Sequence, residues 1–248
     1  MSGILSRRAR QFAKLLRLLP NPVYRKGLRH GVGAAIEHRD VIGRLRLATV
    51  VDVGANVGQF SLLTRALHPD ARIVAFEPLP EAADIYRRVF ADDPRAMLHQ
   101  AAISPDAGTA TMHVSASADS SSLLPITDRQ SELFPGTEEV GTAQVEAGPL
   151  GGFVAAEDLA APAMLKIDVQ GFELEVLRGS HALLGFFDWV YVEASFEPLY
   201  ANQALAGDVT AFLEENGFVE EGRYNVSRAR DGSPIQADFL FRRAQPGG

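Results

Sequence analysis

Apolar positions along the chain follow two alternating rhythms. Near-continuous apolar runs at 48–53, 71–76, 163–168 and 189–194 predict strands buried on both faces, and 96–102 predicts a further one. Between them, apolar residues spaced three and four apart predict helices. One covers 58–68, where Phe60, Leu63 and Leu67 share a face; others cover 81–90, about 172–184, and 208–216, which Gly217 closes. Runs at 218–224 and 237–243 predict a closing antiparallel pair. The alternation predicts an α/β fold, a Rossmann-like, doubly wound, mostly parallel sheet with one antiparallel edge strand.

Two segments break the rhythm. Residues 103–157 read as an insertion over the C-terminal edge of the sheet, with short strands at 109–114 and 142–147 and a polar stretch holding Ser115, Ser117, Asp119, Ser120, Ser121 and Ser122. Residues 1–46 read as a basic helical arm on a domain at 47–248. Within the arm Phe12, Leu15, Leu16 and Leu19 share a helical face before Pro20, and the last residues, 245–248, read as frayed.

Charge sharpens this division. The net charge is −7, yet residues 1–36 hold no Asp or Glu and carry Arg7, Arg8, Arg10, Lys14, Arg17, Arg25, Lys26 and Arg29, so that stretch is +8 and the rest of the chain −15. Such an arm either packs on its own acidic domain or makes a peripheral contact with an anionic membrane or an acidic partner. The acidic remainder lacks the basic, aromatic-studded face that nucleic acid needs. No apolar run reaches the roughly 18–20 residues of a membrane span, and Arg and Lys interrupt every apolar stretch of a would-be signal peptide. A cytoplasmic protein is expected.

The chain has no cysteine. Disulfides, thiolate zinc sites, iron–sulfur clusters and cysteine nucleophiles are excluded, and with them radical chemistry on a cysteine-bound cluster and methylation of cytosine through a cysteine adduct. No Asn/Asp-Pro-Pro-Tyr sequence is present either, which argues against methylation of amide or base nitrogens.

The strongest local signal is Val51-Asp52-Val53-Gly54-Ala55-Asn56-Val57-Gly58-Gln59, between the first strand and the first core helix. Gly54 and Gly58 permit a sharp turn and let backbone N–H groups approach a ligand. The spacing is D-x-G-x-N-x-G, not the dinucleotide pattern G-x-G-x-x-G. An acid at the loop repels a phosphate and attracts an ammonium, such as that of a methionine moiety. Glu77 ends the next strand in Ile73-Val74-Ala75-Phe76-Glu77-Pro78, where an acid accepts hydrogen bonds from a ribose diol. Together, loop and acid fit S-adenosylmethionine.

These residues resemble the FkbM-type methyltransferases. The resemblance rests on five ordered motifs, VDVGANVGQFS, VAFEP, LHQAAIS, LKIDVQGFELEVLRGS and VEASFEPLY, within about 48–243. It implies a class I methyltransferase fold with a seven-stranded sheet and O-methylation of hydroxyls on sugars, glycolipids or polyketides. It implies cofactor contacts at Asp52, Gly54, Asn56, Gly58 and Glu77, and around Gln100, Ala101 and Ala102 for the adenine. At Gln170 the chain departs from the family, which more often has Glu. The basic arm lies outside the resemblance.

Asp168 and Glu193 end neighbouring strands and are expected to flank the acceptor hydroxyl. Either is a candidate base, with Glu173 third; alternatively Asp168 binds the cofactor's ammonium and Glu193 ties a loop. The same carboxylates leave magnesium open as a second route to an activated hydroxyl. Of the histidines weighed as a base, His99, His113 and His181, His113 is best placed, provided Ser120, Ser121 and Ser122 cover the pocket and contact a polyhydroxylated substrate. The expected acceptor is a small molecule or a lipid-linked glycan. A dehydrogenase using NAD and a non-catalytic cofactor-binding partner in a biosynthetic complex are the competing readings.

Overall fold

The computed structural model describes residues 15–244; the first part of the arm, with Phe12, and the tail 245–248 lie outside the described residues. The predicted apolar runs form strands β1 (Thr49–Val53), β2 (Arg72–Phe76), β3 (Ala96–His99), β7 (Ala163–Ile167) and β8 (Trp189–Ser195), all parallel. With β9 (Phe218–Arg228) and β10 (Pro234–Arg243) they make a seven-stranded sheet ordered β3-β2-β1-β7-β8-β10-β9. This is the expected class I methyltransferase architecture.

The alternation of side chains explains the two-sided burial. Val51, Val53, Leu165, Ile167, Val190, Val192, Phe239 and Phe241 pack on one face against the helices Glu173–Gly179, His181–Leu184 and Ala206–Glu215. Val50, Met164, Tyr191 and Leu240 face the other side, with the helices Pro22–Arg29, Gln59–Leu67 and Pro80–Val89. Because β1, β2 and β7 run parallel, their C-terminal ends gather Gly54, Glu77 and Asp168 at one rim, where ligands bind in such sheets.

The reversed strand stands one place in from the edge, not at it. β10 runs antiparallel to both β8 and β9, and β9 is the edge. Burial explains the order. β10 is apolar on both faces through Ala237, Phe239, Leu240 and Phe241, whereas β9 alternates with exposed positions along its length.

The expected strand at 96–102 divides. β3 ends at His99, and β4 (Ala102–Ile103) joins a second, three-stranded sheet ordered β4-β6-β5, with β5 (Gly108–Ser115) and β6 (Glu139–Gly148) from the insertion. The expected helix at 172–184 also breaks, at Ser180. A Cβ on Gly179 would lie 2.4 Å from the Ser104 carbonyl oxygen, so the close pass of the β4 connection sets the end of the first helix.

The arm's described part packs onto the domain. Leu18, Tyr24, Val32 and Ala34 join the core on the Gln59–Leu67 side, while Leu16 and Leu19 stay exposed. No helix among the described residues is long and apolar enough to cross a membrane.

The strand order has a measurable consequence. Phe239→Ala on interior β10 removes a side chain only 1% exposed and should cost about 3–5 kcal/mol in urea unfolding. Val219→Ala on edge strand β9, 48% exposed, should change stability by less than about 0.5 kcal/mol.

Candidate active site

The turn after β1 is built by backbone geometry that only small or turn-forming residues adopt. Gly54 (φ +78°), Asn56 (φ +47°) and Gly58 (φ +96°) all lie in the left-handed region. At Gly54 the constraint is absolute, since a Cβ there would sit 1.8 Å from the Asp168 carbonyl oxygen. Four of the turn's N–H groups are occupied within the protein. Gly54 and Ala55 donate to the Phe76 carbonyl at 3.0 and 2.9 Å, Gly58 to that of Ala55 at 2.9 Å, and Asn56 to Glu77 Oε2 at 2.9 Å. These four bonds shape the turn, and Gly54, Ala55, Asn56, Val57 and Gln59 line the cavity.

Asp52 lies beneath this turn, fully buried, and does not line the cavity. Its Oδ2 accepts from Ser61 Oγ at 2.7 Å, and Tyr86 donates to Ser61 at 3.1 Å. Its Oδ1 lies 3.0 Å from Lys166 Nζ, near enough for an ion pair though not aligned as a hydrogen bond. Lys166 donates to the Gly54 carbonyl at 2.9 Å and stands 3.8 Å from Asp168 Oδ2. Burial works against its ammonium, but Asp52 and Asp168 outweigh burial and raise its pKa. Asp52 thus meets a cation of the protein itself where an ammonium of the ligand was expected. The sequence reading passed over Lys166; its signal was a lysine inside a five-residue strand that is otherwise Ala, Met, Leu and Ile.

Glu77 is in the cavity wall and only 6% exposed. Its carboxylate accepts from the N–H groups of Asn56 and Leu79, at 2.9 and 2.8 Å. Burial outweighs these bonds and pushes its pKa up to about 7. Lone pairs remain for a ribose diol.

The cavity measures about 780 Å³, room for a nucleoside-bearing cofactor and part of an acceptor. Beyond Glu77 its wall includes Leu79, Ala101, Ala102, Ile103 and Met112, a flat apolar slot suited to adenine. Gln100 is outside the wall and accepts from Arg87 at 2.9 Å. Of the serines, Ser121 lines the cavity; Ser120 and Ser122 are buried away from it. His113 is also off the wall, with Nδ1 2.9 Å from Glu139 Oε2.

Asp168 lines the cavity with its side chain 40% exposed; Glu193 and Glu173 do not. Gln170 explains the arrangement. Its amide nitrogen donates to Asp168 Oδ1 at 2.8 Å and to Glu193 Oε2 at 3.0 Å, and Tyr200 OH lies 3.1 Å from its carbonyl. Gln236 donates to the other oxygen of Glu193 at 2.7 Å. Burial, then the charges of Asp168 and Asp238, raise the Glu193 pKa well above the ordinary range. Glu173 accepts from Gly171 N–H at 2.9 Å, and burial pushes its pKa up to about 7. Among the described residues no three acidic or histidine side chains converge as a metal site, and the magnesium expectation finds no support. The Gln170 amide stands between the carboxylates that magnesium needed.

A further part of the cavity was also missed. Leu15, Leu18, Leu28, Val32 and His38, all from the arm, line it beside Phe60.

The family model described as Methyltransferase FkbM domain matches residues 52–220. The 31-O-demethyl-FK506 methyltransferase FkbM of Streptomyces tacrolimicus is 29% identical over 221 residues, covering 77% of this chain and 76% of its own. The 2-O-methyltransferase NoeI of Sinorhizobium fredii (strain NBRC 101917 / NGR234) is 27% identical over 189 residues, covering 73% of this chain and 77% of its own. Among solved structures, the magnesium protoporphyrin IX methyltransferase (ChlM) from Synechocystis PCC 6803 with bound SAM aligns over 84% of this chain and 81% of its own, at 13% identity and a TM-score of 0.44. The family match sets aside the dehydrogenase reading.

Two outcomes test the site. Asp52→Ala leaves the buried Lys166 ammonium without its nearest charge and should cost about 3–5 kcal/mol in urea unfolding, whereas Asp52→Ala with Lys166→Met should recover most of it. Glu77 and Glu173 both rise from 4.5 to about 7, so across that window the folded chain holds protons that the unfolded chain has released. The stability they contribute should therefore fall as pH rises from 4.5 to 7. Affinity for S-adenosylhomocysteine, whose ribose needs an accepting Glu77, should rise over the same window, and calorimetry should find that rise flattened by Glu77→Gln.

Proposed function

Because the chain belongs to the FkbM family of S-adenosylmethionine-dependent methyltransferases, we propose that it methylates a hydroxyl on a small or lipid-linked acceptor that pairs an apolar skeleton with polar groups. The observation that carries this reading is the cavity's mixed lining, an acid and backbone turn together with a run of apolar side chains. Glu77 and Ala101–Ile103 suit a ribose and an adenine. Leu15, Leu18, Leu28 and Val32, beside Phe60, suit a polyketide or glycolipid skeleton. The names of the two relatives, both O-methyltransferases, point the same way.

The residues present fit the cofactor. Glu77 would hold the ribose, the slot at Ala101 and Ala102 the adenine, and Asp168, half exposed in the wall, the ammonium. Bound there, S-adenosylmethionine supplies an electrophilic methyl on sulfur. Gly54, Asn56 and Gly58 shape the floor, and Asp52 acts from below by fixing Lys166. Glu193, off the wall, is a positioning residue that braces Gln170 and through it Asp168. The chain's main task is to align the acceptor oxygen with the methyl and exclude water. We propose a cytoplasmic reaction, and exposed Leu16 and Leu19 beside Arg17 suit a peripheral contact with an anionic membrane.

Isotope-labelled S-adenosylmethionine should label a polyhydroxylated macrolactone or a methyl glycoside, and S-adenosylhomocysteine but not NADH should raise the melting temperature. Transfer to an amine with none to either alcohol would overturn the O-methylation reading. Asp168→Asn should weaken S-adenosylhomocysteine binding by about 1.5–3 kcal/mol, the cost of a lost charged hydrogen bond.

A further inference from the structure

His38 sits in the cavity wall, half-buried, in the 3₁₀ turn Ile36–His38. Its ring stands edge-on to Phe60 and Tyr191, each centroid 5.6 Å away. Phe60 in turn packs under the Lys166 ammonium, 5.6 Å from its centroid. The imidazole is thus one ring away from the charged end of the site.

One edge of that imidazole is held and the other is not. Nδ1 lies 2.9 Å from Tyr191 OH, 3.1 Å from Asn225 Nδ2 and 3.2 Å from Asp238 Oδ2. Asn225 also donates to Asp238 at 2.7 Å, from a residue held at φ +47°. Asp238 is 7% exposed, too buried to stand there without partners. Burial, then the charge of Asp238 beside it, raise the Tyr191 pKa and keep its proton on. The carboxylate is the one of these partners that can only accept, so it draws the ring proton to Nδ1, and the Asn225 amide directs its hydrogen to Asp238 rather than to the ring. That leaves the lone pair on Nε2, which has no hydrogen-bond partner among the described residues. A histidine oriented through one nitrogen by a buried acid, with the other nitrogen toward a cavity, has the build of a general base.

We propose that His38 is the base of the methyl transfer, positioned by Asp238, Asn225 and Tyr191. The acceptor oxygen forms its bond to the methyl carbon as the carbon–sulfur bond breaks and its electron pair stays on sulfur. The hydroxyl proton passes to Nε2, and the imidazolium later returns it to water. Asp168 is less suited to this step, because the Gln170 amide and the Lys166 ammonium already face its oxygens. His38, Asn225 and Asp238 all lie outside the stretch 52–220 that matches the family model.

The inference rests on the methyl-transfer reading, and its first test needs no acceptor. Nitrogen-15 spectra of histidine-labelled wild type with S-adenosylhomocysteine should show the His38 tautomer with hydrogen on Nδ1 and bare Nε2, and Asp238→Asn should erode that preference. Hydrogen fixed on Nε2 would overturn the proposal even if the enzyme methylates alcohols. With whichever alcohol the wild type accepts, His38→Ala should keep its affinity for S-adenosylhomocysteine, lose about 10²–10⁴-fold in kcat, and regain part of the loss with added imidazole. A His38→Ala enzyme within about tenfold of wild type, or one that imidazole does not rescue, sinks it. A wild type that methylates no alcohol at all defeats the O-methylation reading instead, and leaves the tautomer measurement to decide on His38.

Discussion

A buried carboxylate and a buried ammonium hold the rim of this sheet together. Asp52 in β1 and Lys166 in β7 are partners in the parallel register, and neither charge is tolerable there alone. A slip of one residue in either strand would turn its charge toward the opposite, apolar face, so the pair fixes neighbour and register at once. Lys166 also reaches the Gly54 carbonyl, which ties the height of the turn to the same contact. Once the turn is set, its N–H groups meet Phe76 and Glu77, and Glu77 is left with its carboxylate in the cavity wall. A contact that never touches the cavity therefore governs the shape of its floor.

Most of the sheet was legible because strands buried on both faces read as unbroken apolar runs. β1, β2, β7 and β8 could hardly be anything else. The edge was harder. Phe218 and Phe239 announce two strands, but their order depends on which one buries both faces, a tertiary fact. The divided strand at β3–β4 and the helix broken at Ser180 lie on either side of the close pass of Ser104 over Gly179, a tertiary contact that no local pattern records.

At the site, residue types were legible and directions were not. The glycines, Asn56 and Glu77 stand where the motif put them, since a turn of that tightness leaves few choices. Asp52 was assigned to a ligand because a buried acid needs a cation; that cation is Lys166, far along the chain and invisible without the register. His113 and Ser122 lie off the cavity wall because they pair with each other beside the insertion's small sheet, His113 also meeting Glu139, while Ser120 ends a 3₁₀ turn and its carbonyl accepts from Tyr200. Charge alone pointed the arm to its own acidic domain or to a membrane or acidic partner; its place in the cavity wall, through Leu15, Leu18, Leu28 and Val32, had no local signal.

The charges of the rim bear on how the proposed reaction turns over. Asp52 and Asp168 share one lysine, while Glu77, Glu173 and Glu193 are pushed toward their protonated forms by burial. Such a rim is short of positive charge and holds protons it is ready to release. A ligand carrying a sulfonium is favoured there, and its arrival draws the carboxylates toward their charged forms. Methyl transfer removes the sulfonium charge and leaves a neutral thioether. In the proposed site the same electrostatics that draw the substrate in would stop favouring the product, so a rim that recognises the sulfonium would also help to discharge the cofactor after each turnover. Gln170 suits this cycle better than a carboxylate would. Its amide keeps Asp168 and Glu193 apart with two neutral donors and adds no further negative charge. A third carboxylate at that position would hold its own proton or recruit a resident cation, and either would blunt the contrast between charged substrate and neutral product.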